Sequence, residues 1–178
     1  MSMTLIRHIE VDSSTSSVTF MSVGDIPSDY TDLLLVGSAR SSRSTGVDDD
    51  LVISFNGSTA NFTMRRLFGT GSGRGSLTTP DRFAGYLTGN TATSNTFSSL
   101  KIYIPNYRSS TAKAFSTDSV SENNAAESYQ AISAGLWNDT SAITSITLAS
   151  TRAEDFLTGT SFTLYGITKG SDGTTTVS

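Results

Sequence analysis

The chain contains no cysteine. That excludes a disulfide framework and any zinc site built on thiolates. It contains one histidine, His8, so a cage of imidazoles has no material to draw on. His8 sits among Arg7, Ile9 and Glu10 with no obvious catalytic partner, and reads as a solvated or interface side chain. No apolar run approaches the roughly 20 residues of a membrane helix. The first ten residues lack the apolar stretch of a secretory signal, so the expected product is made in a cytosol, stays soluble and has no membrane partner. Charge is also scarce, at 16% of residues, and the net charge is −4. No clustered Lys/Arg stripe is present, which argues against a nucleic-acid partner.

Serine and threonine fill the space, at about a third of the 178 residues. Low charge separates such a chain from ordinary disorder, which combines high charge with few apolar residues. A chain rich in Thr, Ser and Gly with only three prolines predicts many short strands joined by polar turns. The apolar residues agree, because they recur with period two. Leu100, Ile102 and Ile104 alternate with Lys101 and Tyr103. Leu51, Ile53 and Phe55 lead into Asn56 and Gly57, a strong hairpin signal. Val18 and Phe20 share one face, with Thr19 and Met21 on the other. The continuous run 33–36 predicts a strand covered on both faces.

Strands are expected near 4–11, 16–23, 31–40, 50–56, 61–68, 82–87, 97–105, 113–119, 128–137, 142–150 and 160–168. Single helical turns are expected at 25–30 and 152–157, and loops at 41–50, 69–80, 89–96 and 121–127. This pattern predicts one all-β domain over 1–169, an antiparallel, jelly-roll-like β-sandwich with long polar loops. A polar tail follows over 170–178.

Chemistry-bearing clusters are few. Asp48, Asp49 and Asp50 offer oxygen ligands, but consecutive residues of an extended chain diverge and an EF-hand spacing is missing; they read as a solvated acidic turn. The glycines over 69–75 lack the Gly-Lys-Ser/Thr ending of a phosphate loop. A glycosidase needs two facing carboxylates. Asp81, Asp118, Glu122, Glu127, Asp139 and Glu154 are available, yet nothing selects a pair. The expectation is therefore no catalytic residue, no metal and no cofactor.

Two stretches carry a resemblance. The last third holds Trp137, Ile143, Ile146, Leu148 and Phe156, then Gly159, Phe162, Leu164, Tyr165, Gly166 and Ile167. The first third holds Val18, Thr19 and Phe20, then Ile26, Pro27, Tyr30 and Leu33, then Arg40, then Phe55, Asn56 and Gly57. Both are similar to a large group of phage virion proteins that end in a Ser-x-Phe-Ser/Thr-Leu-Tyr-Gly-Ile strand. That group resembles capsid decoration (cement) proteins, head fibres and tail-fibre or baseplate components. The resemblance implies a β-sandwich and a virion role, and it brings no catalytic motif.

The expected core is Phe20, Leu33, Trp137, Ile146, Leu148, Phe162, Leu164, Tyr165 and Gly166. The expected function is a non-enzymatic decoration protein, a homotrimer on the capsid surface that binds the lattice of major capsid protein or other virion proteins. Arg40, Arg43, Arg74, Tyr107 and Arg108 are the expected contacts, since Arg and Tyr dominate interfaces. The alternative is a tail-fibre or baseplate domain that binds a host glycan, with Tyr86, Tyr103, Tyr107, Tyr129 or Trp137 stacking on sugar.

Overall fold

A computed structural model describes residues 2–20, 26–124 and 127–168. The tail 170–178, residues 21–23 of the second expected strand and Asp25 lie outside them. The described residues form twelve strands and no helix: β1 (Ser2–Glu10), β2 (Ser17–Phe20), β3 (Asp32–Ala39), β4 (Asp48–Phe55), β5 (Phe62–Gly69), β6 (Arg74–Thr79), β7 (Phe83–Thr88), β8 (Ser98–Ile104), β9 (Lys113–Ser121), β10 (Tyr129–Trp137), β11 (Ile146–Ser150) and β12 (Ser161–Thr168). Eight make one antiparallel sheet in the order β1-β12-β3-β8-β9-β10-β5-β6. Four make the other, in the order β2-β11-β4-β7. The protein is a β-sandwich.

The period-two pattern decides what lies between the sheets. Burial alternates strictly along β9, where Lys113, Phe115, Thr117, Ser119 and Ser121 point inward. Phe55, Phe62, Phe115 and Trp137 form an aromatic knot, with Phe55 centroids 5.5 Å from Phe115 and 5.6 Å from Trp137. Phe20, Leu33, Trp137, Ile146, Leu148, Phe162 and Leu164 are buried, as expected.

Space for the rings comes from glycines placed opposite them. Gly135 faces Phe115 across β9 and β10. A Cβ at Gly135 would lie 2.2 Å from that ring. Gly37 faces Phe162 in the same way, and a Cβ there would lie 2.5 Å from the ring. Each ring lies down over a bare backbone and keeps both neighbouring strands covered. Gly166 belongs to the same scheme, buried beneath the Tyr30 ring.

Several expectations need correction. The stretch 69–80 is a hairpin, not a loop, because β6 pairs with β5 from Met64↔Thr79 to Gly69↔Arg74. An edge strand needs only backbone partners, so its sequence shows little apolar alternation. The segment 152–157 is irregular rather than helical, with Ala153 at φ 57°. In the run 33–36, Leu33 and Leu35 are buried, but Leu34 and Val36 are only half-buried on the outer face. Tyr165 lies on that same face, half-buried beside Leu34 and Leu5, and is not core. The last expected strand but one begins late, at Ile146, because the Asn56 side chain takes the amides of Thr144 and Ser145 at 2.8 and 3.1 Å. Asn56 and Gly57 both have positive φ, 53° and 72°, as a tight hairpin turn requires.

Phe162 is fully buried against Phe156, with centroids 5.2 Å apart, and it covers Gly37. Phe162→Ala is expected to cost about 3–5 kcal/mol. For a domain of this size that lowers the melting temperature by roughly 6 °C or more. Thermal unfolding checks it, and a midpoint within about a degree of the parent would remove this strand from the core.

Candidate binding face

The expected contact residues divide. Arg40 and Tyr107 are inside the domain. The Arg40 guanidinium donates to the carbonyls of Thr93 and Thr96 at 2.8 Å and of Ala92 at 3.0 Å, so it pins the loop after β7. Tyr107 donates its hydroxyl to the Pro27 carbonyl. Neither side chain is free for a partner, which corrects both expectations. Arg43 folds back on Asp48, 3.3 Å away. Arg74 and Arg108 are exposed.

The three aspartates are the start of a strand, and each has its own cation. Asp48 pairs with Arg43, Asp49 with Arg152 at 3.5 Å, and Asp50 with Arg66 at 3.8 Å. Asp49 is fully buried and accepts from Ser150 Oγ at 2.7 Å, so the solvated-turn reading is overturned. Among the described residues no group of three or more His, Cys, Asp or Glu is placed to hold a metal. Burial pushes the Asp48 and Asp50 carboxyls above the ordinary range, with Arg43 and Arg66 pulling the other way. Burial, helped by Asp48 and Glu127, pushes the Tyr129 hydroxyl up to about 12. Arg66 closes this end of the sandwich, its guanidinium carbon 3.9 Å from the Phe83 ring centroid.

Of the six acids available for glycan hydrolysis, five are engaged locally. Asp81 accepts from Thr79, Asp139 from Ser141, Glu122 from Asn124, Glu127 from Tyr129 and Glu154 from Ser42. Asp118 makes no such bond among the described residues. His8 meets the Thr163 hydroxyl at 2.8 Å on an exposed strand.

Asp118 leads to the feature that the sequence did not disclose. Strand register aligns Lys101, Asp118, Ile132, Leu67 and Ser76 as one row across the outer face of the larger sheet. The next row is Tyr103, Ser116, Ala134, Arg65 and Thr78. From Tyr103 to Arg65 in that second row the side chains run large, small, small, large. Ser116 and Ala134 form a floor, and Tyr103 and Arg65 stand as walls. The result is a groove of about 630 Å³. Tyr103 is tied to β3 by Asp32, whose carboxylate accepts its hydroxyl at 2.8 Å and the Asn106 amide at 2.9 Å. That bond, with burial, raises the Tyr103 hydroxyl above the usual tyrosine value. Of the tyrosines and tryptophan considered for sugar stacking, Tyr103 is the one in this groove; Tyr86, Tyr107 and Trp137 are buried. A second depression continues past Leu67, Ile132 and Ser76 to Arg74.

The same outer face carries the apolar exposure. Met3, Leu5, Leu67, Val120 and Ile132 are each 40–58% exposed. Met3 and Leu5 lie at the β1 end, opposite Ile167 and Tyr165. No protein-family model matches the chain, and no curated protein matches it.

The raised Asp50 carboxyl gives a pH test with a defined sign. Its folded value lies above its unfolded value, so the folded state takes up the proton first as pH falls. Stability from this group therefore grows on acidification and is lost as pH rises. Between about pH 7 and pH 4, the parent should gain stability relative to Asp50→Asn. Paired melting curves at each pH check it; a parent that loses ground on acidification would reverse the assignment.

Proposed function

We propose that this chain is a non-enzymatic structural protein of a phage virion, a decoration (cement) protein that binds the lattice of major capsid protein through β1. The observation that carries this reading is the state of that strand. β1 is nine residues long, ends the larger sheet, and has one backbone edge open among the described residues. Met3 and Leu5 on it are more than half exposed. A long open edge with apolar side chains invites pairing and aggregation unless a partner covers it. Strand addition by a capsid subunit would supply main-chain bonds along the edge and a cover for Met3 and Leu5.

Two further lines support the reading. The terminal strand resembles the closing strand of the phage virion group described above. The topology also fits a jelly roll, a fold used in viral capsids. The smaller sheet runs β2-β11-β4-β7, and the larger contains β3-β8 and β5-β6. In a jelly roll the chain passes between sheets at these same connections; the β9–β10 hairpin is then an insertion, and β1 and β12 are additions. Three copies around a three-fold lattice axis would form a closed cyclic assembly.

Image reconstruction of the intact particle tests this directly. Ordered copies on the head lattice, with β1 against the major capsid protein, are expected. A few copies at the tail would replace the reading with the receptor-binding one. Leu5→Lys should lower the number of copies per particle while shifting stability by no more than about 0.5 kcal/mol, because Leu5 is exposed. Full occupancy by that variant would reject attachment through β1. Light scattering of the purified protein should give a trimer, and a monomer in solution and on the particle would reject that oligomer.

A further inference from the structure

We propose that the groove between Tyr103 and Arg65 is a binding site for an acidic saccharide, a sugar chain carrying carboxylates. The inference is independent of where β1 attaches, because the groove crosses β8, β9, β10, β5 and β6, with β12 and β3 between it and β1.

The shape comes first. From Lys101 on β8 to Ser76 on β6 is four strand spacings, about 19 Å. Tyr103 and Arg65 are three spacings apart, about 14 Å between backbones, with only Ser116 and Ala134 between them. A ring-shaped group can descend to that floor with Tyr103 on one side and a guanidinium on the other.

The chemistry of recognition follows from what the sheet leaves free. The groove runs across strands that are paired on both sides up to β6, so the backbone of its floor is spent in sheet ladders. A peptide that binds a sheet by strand addition needs an edge, and this floor offers none. Recognition must come from side chains. Lys101, Asp118, Ser116, Arg65, Ser76 and Thr78 make no side-chain hydrogen bond or ion pair among the described residues. They present donors and acceptors at close spacing beside the apolar surface of Ile132, Leu67 and the Tyr103 ring. A sugar ring matches that mixture, with hydroxyls at its rim and C–H groups on its faces.

Charge selects the acidic class. The chain as a whole has 12 Lys and Arg against 16 Asp and Glu. The groove and its continuation are lined by Arg65, Lys101 and Arg74, and by Arg66, which is tied to Asp50, against Asp118 alone. A local excess of cations on an acidic protein attracts an anion. Arg65 offers the planar fork that pairs a carboxylate with two bonds.

Titration calorimetry at low salt with tetragalacturonate as the probe tests the proposal, with maltotetraose and tetraglutamate as comparators. Binding to tetragalacturonate is expected, weaker by about tenfold or more in Arg65→Ala, which loses a charge-assisted contact. Ala134→Trp, which fills the floor at an exposed position, should abolish it. Both variants should melt with the parent. Added salt should weaken binding, and maltotetraose should bind at least about tenfold less tightly. Leu5→Lys should bind like the parent, which separates this site from capsid attachment. No binding up to roughly 10 mM overturns the proposal. So does binding that neither Arg65→Ala nor Ala134→Trp diminishes. Equal binding of tetraglutamate would give the groove to an acidic protein segment instead.

Discussion

A four-stranded sheet cannot cover an eight-stranded one, and most of this structure follows from that mismatch. Strand spacing makes the smaller sheet about 14 Å across and the larger about 34 Å. Between them the apolar alternation closes a full core around Phe55, Phe62, Phe115 and Trp137. Beyond the smaller sheet the inner face must be closed by other means. At one side Tyr30 lies over Gly166, and at the other Arg66 lies over Phe83 and is tied to Asp50. Arg66 does this at a cost visible beside it. Ser133 faces it across the ladder, Thr117 lies one strand further, and neither hydroxyl finds a partner. Unpaired buried hydroxyls are unfavourable, so the cationic plug holds this end together through ring contact and charge rather than through a complete hydrogen-bond network.

The scarcity of charge has a physical counterpart in how the charges are used. Long polar loops have no sheet ladder to satisfy their carbonyls, so those carbonyls need other donors. Arg40 supplies several for the loop after β7. Lys113, fully buried under Trp137, donates to the carbonyls of Asp139 and Ser141. Burial lowers both cations below their ordinary values. They remain worth burying because one multivalent donor satisfies carbonyls that a loop of serine and threonine would otherwise leave open. An interface expectation based on residue type alone fails here: the property that makes arginine useful between proteins, several donors on a rigid fork, also makes it useful inside one.

What was legible in the sequence was whatever period two controls. Strand positions, the inward residues of β8 and β12, and the tight turn at Asn56 and Gly57 were readable because each depends on neighbours in the chain. β6 was not, because an edge strand pairs on one side and the glycines over 69–75 looked like a loop. Tyr165 was placed in the core because alternation says which residues share a face, not which face is covered. Its parity partners Leu34 and Tyr103 make the same point. The groove was out of reach for a stronger reason. It requires Tyr103, Ser116, Ala134 and Arg65 in one row, and that row is fixed by pairings between strands far apart in sequence, which no local pattern encodes.

The mismatch also explains how one small domain can present two separate surfaces. A sheet much wider than its partner has a long outer face, and edge and centre of that face experience different constraints. At β1 only one side of the strand is paired, so backbone groups and apolar side chains are available together, the combination that strand addition uses. Across β8, β9, β10 and β5 every backbone group has a neighbour, so function there can come only from side-chain relief. Relief requires short residues beside tall ones, and short residues on an outer face do not weaken the core beneath them. Ser116 and Ala134 are such residues: their immediate neighbours Phe115, Thr117, Ser133 and Gly135 face inward and build the sandwich. The strands can therefore carve a recognition surface on one side while the other side maintains the fold, and the two requirements are met by alternate residues of the same strands.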